Sequence, residues 1–147
     1  MKKILILCIF VVLLAFGLFY YKKPNETVVP ENRNIRLQSA IELKNSGDYK
    51  RAEEVLLRIT EEWKTDFVAF NNLGDLYQNY LKDYPKAEQA HRKVIELKPD
   101  FIQAYINLYD LYRLFYTEKK DQAVAILREG IMKNPQDTQL RVLLERE

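Results

Sequence analysis

The side chains able to do chemistry in this chain are few and scattered. There is one histidine, His91, and one cysteine, Cys8. A metal-bound or catalytic imidazole needs further ligands or a carboxylate cluster at helical spacing, and none accompanies His91. It is expected to be a structural histidine, turned toward the interior of a helix pair. Cys8 has no second cysteine for a disulfide or a thiolate metal site, and it reads as a small buried hydrophobe. The adjacent acids Glu53-Glu54 and Glu61-Glu62 splay to different faces of a helix and read as solvated charge. The four glycines are far apart and form no phosphate-cradling loop. The sequence therefore predicts no catalytic residue, no metal, no cofactor and no small-molecule substrate, and a protein that is not an enzyme.

Charge is unevenly placed. The formal net charge is +2, but Lys2, Lys3, Lys22 and Lys23 bracket an uncharged apolar run, Ile4 to Tyr21, and all the acids lie beyond it. The chain beyond Lys23 is slightly acidic, so nucleic acid is not an expected partner. As a helix the run rises about 27 Å, close to a hydrocarbon core of about 30 Å. Lysines can snorkel at its ends, and Tyr20 and Tyr21 suit an interface. It reads as an uncleaved transmembrane signal anchor. The alternative is a cleaved signal peptide, since Ala15-x-Gly17 resembles a processing site. The short basic start favours a single-pass membrane protein whose remainder lies on the extracytoplasmic side. Pro24 to Asn32, with two prolines, reads as an extended linker.

Beyond the linker a segment recurs. One copy reads Phe70-x-x-Leu73-Gly74-x-x-Tyr77, then Ala87-x-x-x-His91, then Pro99. The next reads Tyr105-x-x-Leu108-Tyr109-x-x-Tyr112, then Ala123-x-x-x-Leu127, then Pro135. A degraded first copy reads Arg36-x-x-Ser39-Ala40-x-x-Leu43, then Ala52-x-x-x-Leu56, with Lys64 in place of the proline. Ala52, Ala87 and Ala123 stand 35 and 36 residues apart. A fixed period of this length indicates stacked helix pairs.

The helices that carry these residues are predicted over 33–45 and 49–63, 66–82 and 84–97, 100–117 and 119–133, with a lone closing helix over 137–146. Gly47 supplies a left-handed stop; Asp48, Asp83 and Asp137 supply N-caps; Pro85 sits in a first turn. No stretch alternates with a period of two, so no sheet is expected. Ala40, Ala52, Gly74, Ala87 and Ala123 allow paired helices to approach closely. Tyr109 stands where a small residue belongs and is expected either to splay the third pair or to send its hydroxyl to an edge. Gly130, inside a helix, points to a close crossing. Tyr109, Phe115 and Tyr116 exceed what the packing stripe needs and suit either packing or partner contact.

These spacings resemble the tetratricopeptide repeat family. The resemblance covers about Arg33 to Pro135 plus the closing helix and, joined to the apolar run, implies an all-α fold: an N-terminal transmembrane helix (1–23), a linker (24–32), then an α-solenoid of three helix pairs (33–66, degenerate; 67–100; 101–136) and a capping helix (137–147). In that family ligands lie on the concave face of the first helices. The matching positions here are Leu37, Ile41 and Lys44, then Val68, Asn71, Asp75 and Gln78, then Gln103, Ile106, Asp110 and Arg113. Chaperone-binding members grip a terminal carboxylate with lysines, asparagines and an arginine. This chain has Leu37 and Ile41 at two of those places, keeps Asn72, and has Gln103 and Asn107 at two more, so the clamp is not expected. The anchor, the spacer and the resemblance together point to a membrane-tethered protein-interaction module that binds a peptide or helix segment of a partner, within an envelope assembly or secretion complex. Structural self-association and an exported soluble domain are the alternatives.

Overall fold

The computed structural model describes residues 31–147, which form one unit. The apolar run Ile4–Tyr21, with its anchor or cleavage reading, and residues 24–30 of the expected linker lie outside the described residues. Helix α1 is Glu31–Asn45 and α2 is Tyr49–Glu62. Helix α3, Phe67–Asp75, runs without a break into a π-helical stretch, Leu76–Leu81, and is followed by α4, Tyr84–Leu97. Helix α5, Ile102–Asp110, likewise runs into a π-helical stretch, Leu111–Phe115. A 3-10 segment, Thr117–Gln122, then leads to α6, Ala123–Lys133, and to α7, Thr138–Glu145. No strand occurs among the described residues. Each helix packs on the one before it and the one after, as the links of a solenoid do.

The local signals act as the residue types dictate. Gly47 has φ +87°, which glycine adopts without a Cβ penalty. Backbone N–H groups of Arg51, Lys86 and Leu140 donate to the carboxylates of Asp48, Asp83 and Asp137. Asp66 does the same for α3, accepting from Val68 and Ala69, and its carboxylate also receives Arg33 of α1 at 2.5 Å.

The third pair departs from the expected boundaries. The helix predicted from residue 119 begins at Ala123, because residues 117–122 form the tighter 3-10 turn. Against a 34-residue repeat, the alanine spacings leave one and two surplus residues. The wide π turns after α3 and α5 and the 3-10 segment take up the extra length. By contrast the turns joining one pair to the next superimpose in their bonding. Trp63, Lys98 and Asn134 each close the preceding helix at 2.8 Å, and Asp66, Phe101 and Asp137 each bond back three residues at 3.0 Å.

The core runs along the stack. Ala40, Ala52, Ala87 and Ala123 are buried where helices cross. Tyr105, Leu108 and Tyr112 are fully buried, as is Leu140 of α7. Leu143 and Leu144 complete the apolar face of α7, while Arg141, Glu145 and Arg146 face solvent. Gly130 is explained by its surroundings: a β-carbon there would lie 2.7 Å from Leu140 Cδ1 and 2.9 Å from Tyr105 Cγ. Tyr109 is buried, and its hydroxyl reaches the carboxylate of Glu147 at the edge.

Candidate partner-binding surfaces

The first helices α1, α3 and α5 lie side by side and share polar contacts. Lys44 of α1 pairs with Asp75 of α3, and Asn107 of α5 donates to Asn71 of α3 at 3.3 Å. Gln103 donates to Asn107 at 2.8 Å. Arg113 pairs with Glu147 at 2.8 Å and lies over the Tyr109 ring. Burial raises the Asp110 carboxyl above its ordinary range, and the nearby Arg113 only partly offsets it. Burial, reinforced by Glu147, pushes the Tyr109 phenol up to about 12.

Not every position expected on this face is open. Leu37 and Ile106 are core residues. Gln78 is buried too, and its amide oxygen meets His91 Nε2 at 3.1 Å. The physical reason is that α3 has widened into a π turn by residue 78, which brings that side chain over α4. Ile41 and Val68 are half-buried against the core. Gln103 and Arg113 are exposed, and Lys44, Asn71, Asp75 and Asp110 are half-buried. Asn72 turns back on its own helix and donates to Val68 O at 2.9 Å. His91 is fully buried, with Nδ1 unpartnered, and burial pushes its imidazole down to about 4. Among the described residues no cluster of three metal-ligating side chains occurs.

Of the surplus aromatics, Phe115 and Tyr116 settle at the rim where first helices turn into second helices. Tyr84 packs on Phe115 and on Tyr116, each at 6.2 Å between ring centres. Lys82 and Lys119 cover those rings. Glu88 ties the same region together, accepting from Tyr112 at 2.6 Å and pairing with Lys119 and Arg92. Burial alone would raise its carboxyl, but those three donors outweigh it and hold it below the usual value.

A cavity of about 780 Å³ opens on the other side, between α2, α3 and α4. Its apolar surface comes from Leu57, Phe70, Leu73 and Ala90, and Lys86 and Lys93 stand on its α4 wall. None of the residues expected from sequence lines it. The available signals were an alanine, Ala90, where the third pair has Ile126, and a leucine, Leu57, on an outward helical position.

Successive antiparallel helix pairs with small residues at the crossings define an α-solenoid of the helical-repeat class. The tetratricopeptide repeat family model matches residues 68–101, the second pair, and supports that family for the repeats. No curated protein matches the sequence. Among solved structures, the fold is similar to PilW, described as a widely conserved type IV pilus biogenesis factor, at 21% identity and TM-score 0.60 over 74% of this chain. It is similar to the second TPR domain of human RPAP3, solved with an HSP70 peptide, at 18% identity and TM-score 0.63; 80% of this chain and 96% of that domain are covered. It is also similar to the Yersinia enterocolitica type III secretion translocator chaperone SycD, at 14% identity and TM-score 0.65, covering 82% of this chain and 89% of that one. The chain spans 48% of PilW's length. Among the described residues no helix is long and apolar enough to cross a membrane.

Proposed function

We propose that the chain is a non-enzymatic protein-interaction module that holds a peptide or helix of a partner protein on the face of its first helices. The observation that carries this reading is the row of exposed or half-buried polar side chains, Lys44, Asn71, Asp75, Gln103, Asp110 and Arg113, set on first helices that share polar contacts. Such a row offers spaced donors and acceptors beside half-buried Ile41 and Val68, the mixed surface that peptide recognition uses. The peptide-bound RPAP3 domain and the secretion chaperone SycD share the fold, which lends the reading support by analogy. The uncharged run Ile4–Tyr21 tethers this module to a membrane with the repeats on the extracytoplasmic side, in an envelope assembly or secretion complex.

Proximity labelling from the full-length chain identifies the partner and the compartment together. The Asn71→Ala/Arg113→Ala double variant then weakens binding of that partner about tenfold, equivalent to about 1.4 kcal/mol, with an unchanged circular dichroism spectrum. Unaltered affinity rejects this face. Recovery of the chain in the soluble fraction after cell lysis rejects the tether.

A further inference from the structure

Going beyond that reading, we infer that the groove between α2, α3 and α4 is a second docking site, and that its occupant is an acidic amphipathic segment of a partner protein. Two observations carry it. The first is a comparison within the molecule. The corresponding position to Leu57 one pair further along is Arg92, and the corresponding position to Ala90 is Ile126. Arg92 lies across the Tyr112 ring and donates to its hydroxyl at 3.0 Å, while Ile126 is buried. At that step the chain supplies its own cover and its own filling. At the α2–α3–α4 step Lys86 lies over the equivalent ring, Tyr77, at 5.0 Å, but Ala90 leaves the volume beside it unfilled, and Leu57 stays 39% exposed. What is missing is therefore apolar bulk, which an aliphatic or aromatic side chain of another molecule can provide.

The second observation is charge. The lining holds three cations, Lys86, Arg92 and Lys93, against two acids, Glu53 and Glu96, in a chain whose part beyond Lys23 is slightly acidic. Lys86 and Lys93 stand two helical turns apart on one wall. Glu53 is already engaged by the Tyr77 hydroxyl at 2.7 Å. Lys86 reaches that same carboxylate at 3.4 Å as well as Asp83, and Lys93 pairs with Glu96; the side chains of Lys86 and Glu96 are more than half exposed, so these pairs are weak in water and exchangeable for an incoming carboxylate. From Lys86 to Glu96 the groove runs about 15 Å, room for about ten residues of helix. Apolar anchors against Leu73 and Ala90, with acids toward Lys86 and Lys93, match both features.

The test uses the full-length chain, kept monodisperse, and a labelled synthetic 14-residue peptide with leucines at i, i+3, i+4 and i+7 and glutamates elsewhere. A second peptide carries lysine for every glutamate. Fluorescence anisotropy is expected to show the acidic peptide binding at least tenfold more tightly than the basic one, with Lys86→Glu/Lys93→Glu reversing that preference. Ala90→Ile, which copies the next pair, is expected to weaken binding at least tenfold. Leu57→Arg changes an exposed position and serves if Ala90→Ile misfolds. Absence of binding, indifference to all of these substitutions, or loss on Asn71→Ala/Arg113→Ala instead would each overturn the inference. So would sedimentation showing self-association that Leu57→Arg abolishes, since a second copy would then be the occupant.

Discussion

The ring of His91 lies directly on the Cα of Gly74. A β-carbon at residue 74 would sit 2.4 Å from His91 Cε1 and 2.5 Å from Nδ1. Glycine in a helix costs about 1 kcal/mol relative to alanine, whereas overpacking a filled core costs about 1–3 kcal/mol. The ring is wholly buried and held by Gln78, so it cannot swing aside, and the clash outweighs the gain in helix propensity. Gly74→Ala is expected to destabilise by about 1–2 kcal/mol in urea unfolding. In a double-mutant cycle with His91→Ala the coupling is expected to be at least about 0.5 kcal/mol. A more stable single variant would refute this contact.

The same burial makes stability depend on pH. The imidazole titrates near 4 when folded and near 6.5 when unfolded. Between those values the unfolded chain binds the proton and the folded one does not, so stability rises with pH across that window. It is complete above about 6.5 and falls away as pH drops toward 4, by up to about 3 kcal/mol. His91→Leu, which copies Leu127 of the next pair, removes this slope. Urea midpoints for both proteins between pH 4 and 7 measure it; parallel curves would show that His91 does not titrate in this window.

Gly130 sits where α5, α6 and α7 meet. Its added β-carbon would meet the flexible tip of Leu140 and also the Tyr105 ring, and that ring is fully buried with its hydroxyl on Pro99 O at 3.0 Å. The leucine can rotate away; the tyrosine cannot. Gly130→Ala is expected to cost about 1–3 kcal/mol and to speed amide hydrogen exchange in α7 first, because Leu140 anchors that helix. Uniform exchange across the domain would argue against a local effect.

Much of this architecture could be read from residue types. The helix stops and caps at Gly47, Asp48, Asp83 and Asp137 follow from short-range chemistry, which the sequence displays directly. The crossing at Gly130 could be suspected, but Leu140 and Tyr105 as its cause required the packing of three helices. Surface exposure was less legible. Gln78 is buried because a π turn rotates it toward α4, and a one-residue surplus does not announce where it will be absorbed. Leu37 and Ile106 fall on the margin of a face, where a rotation of a few tens of degrees decides between groove and core. The cavity beside Ala90 depends on side chains from three elements, so no single periodicity reports it. The periodicity places Asp66 as the first residue of a helix, whereas it caps α3 from outside and holds Arg33, a contact spanning 33 residues.

The two rims of the stack are built to different tolerances. Where pairs join, the same closing pattern recurs with unvarying chain length from Trp63, Lys98 or Asn134 to the third residue beyond. Where the helices of one pair join, length has already been allowed to drift, and widened turns soak it up before the next alanine notch arrives. A short tag or loop grafted after Leu81 or Phe115 should thus be carried silently, whereas the same graft at Thr65, Pro99 or Pro135 would throw every following helix out of step with its neighbour.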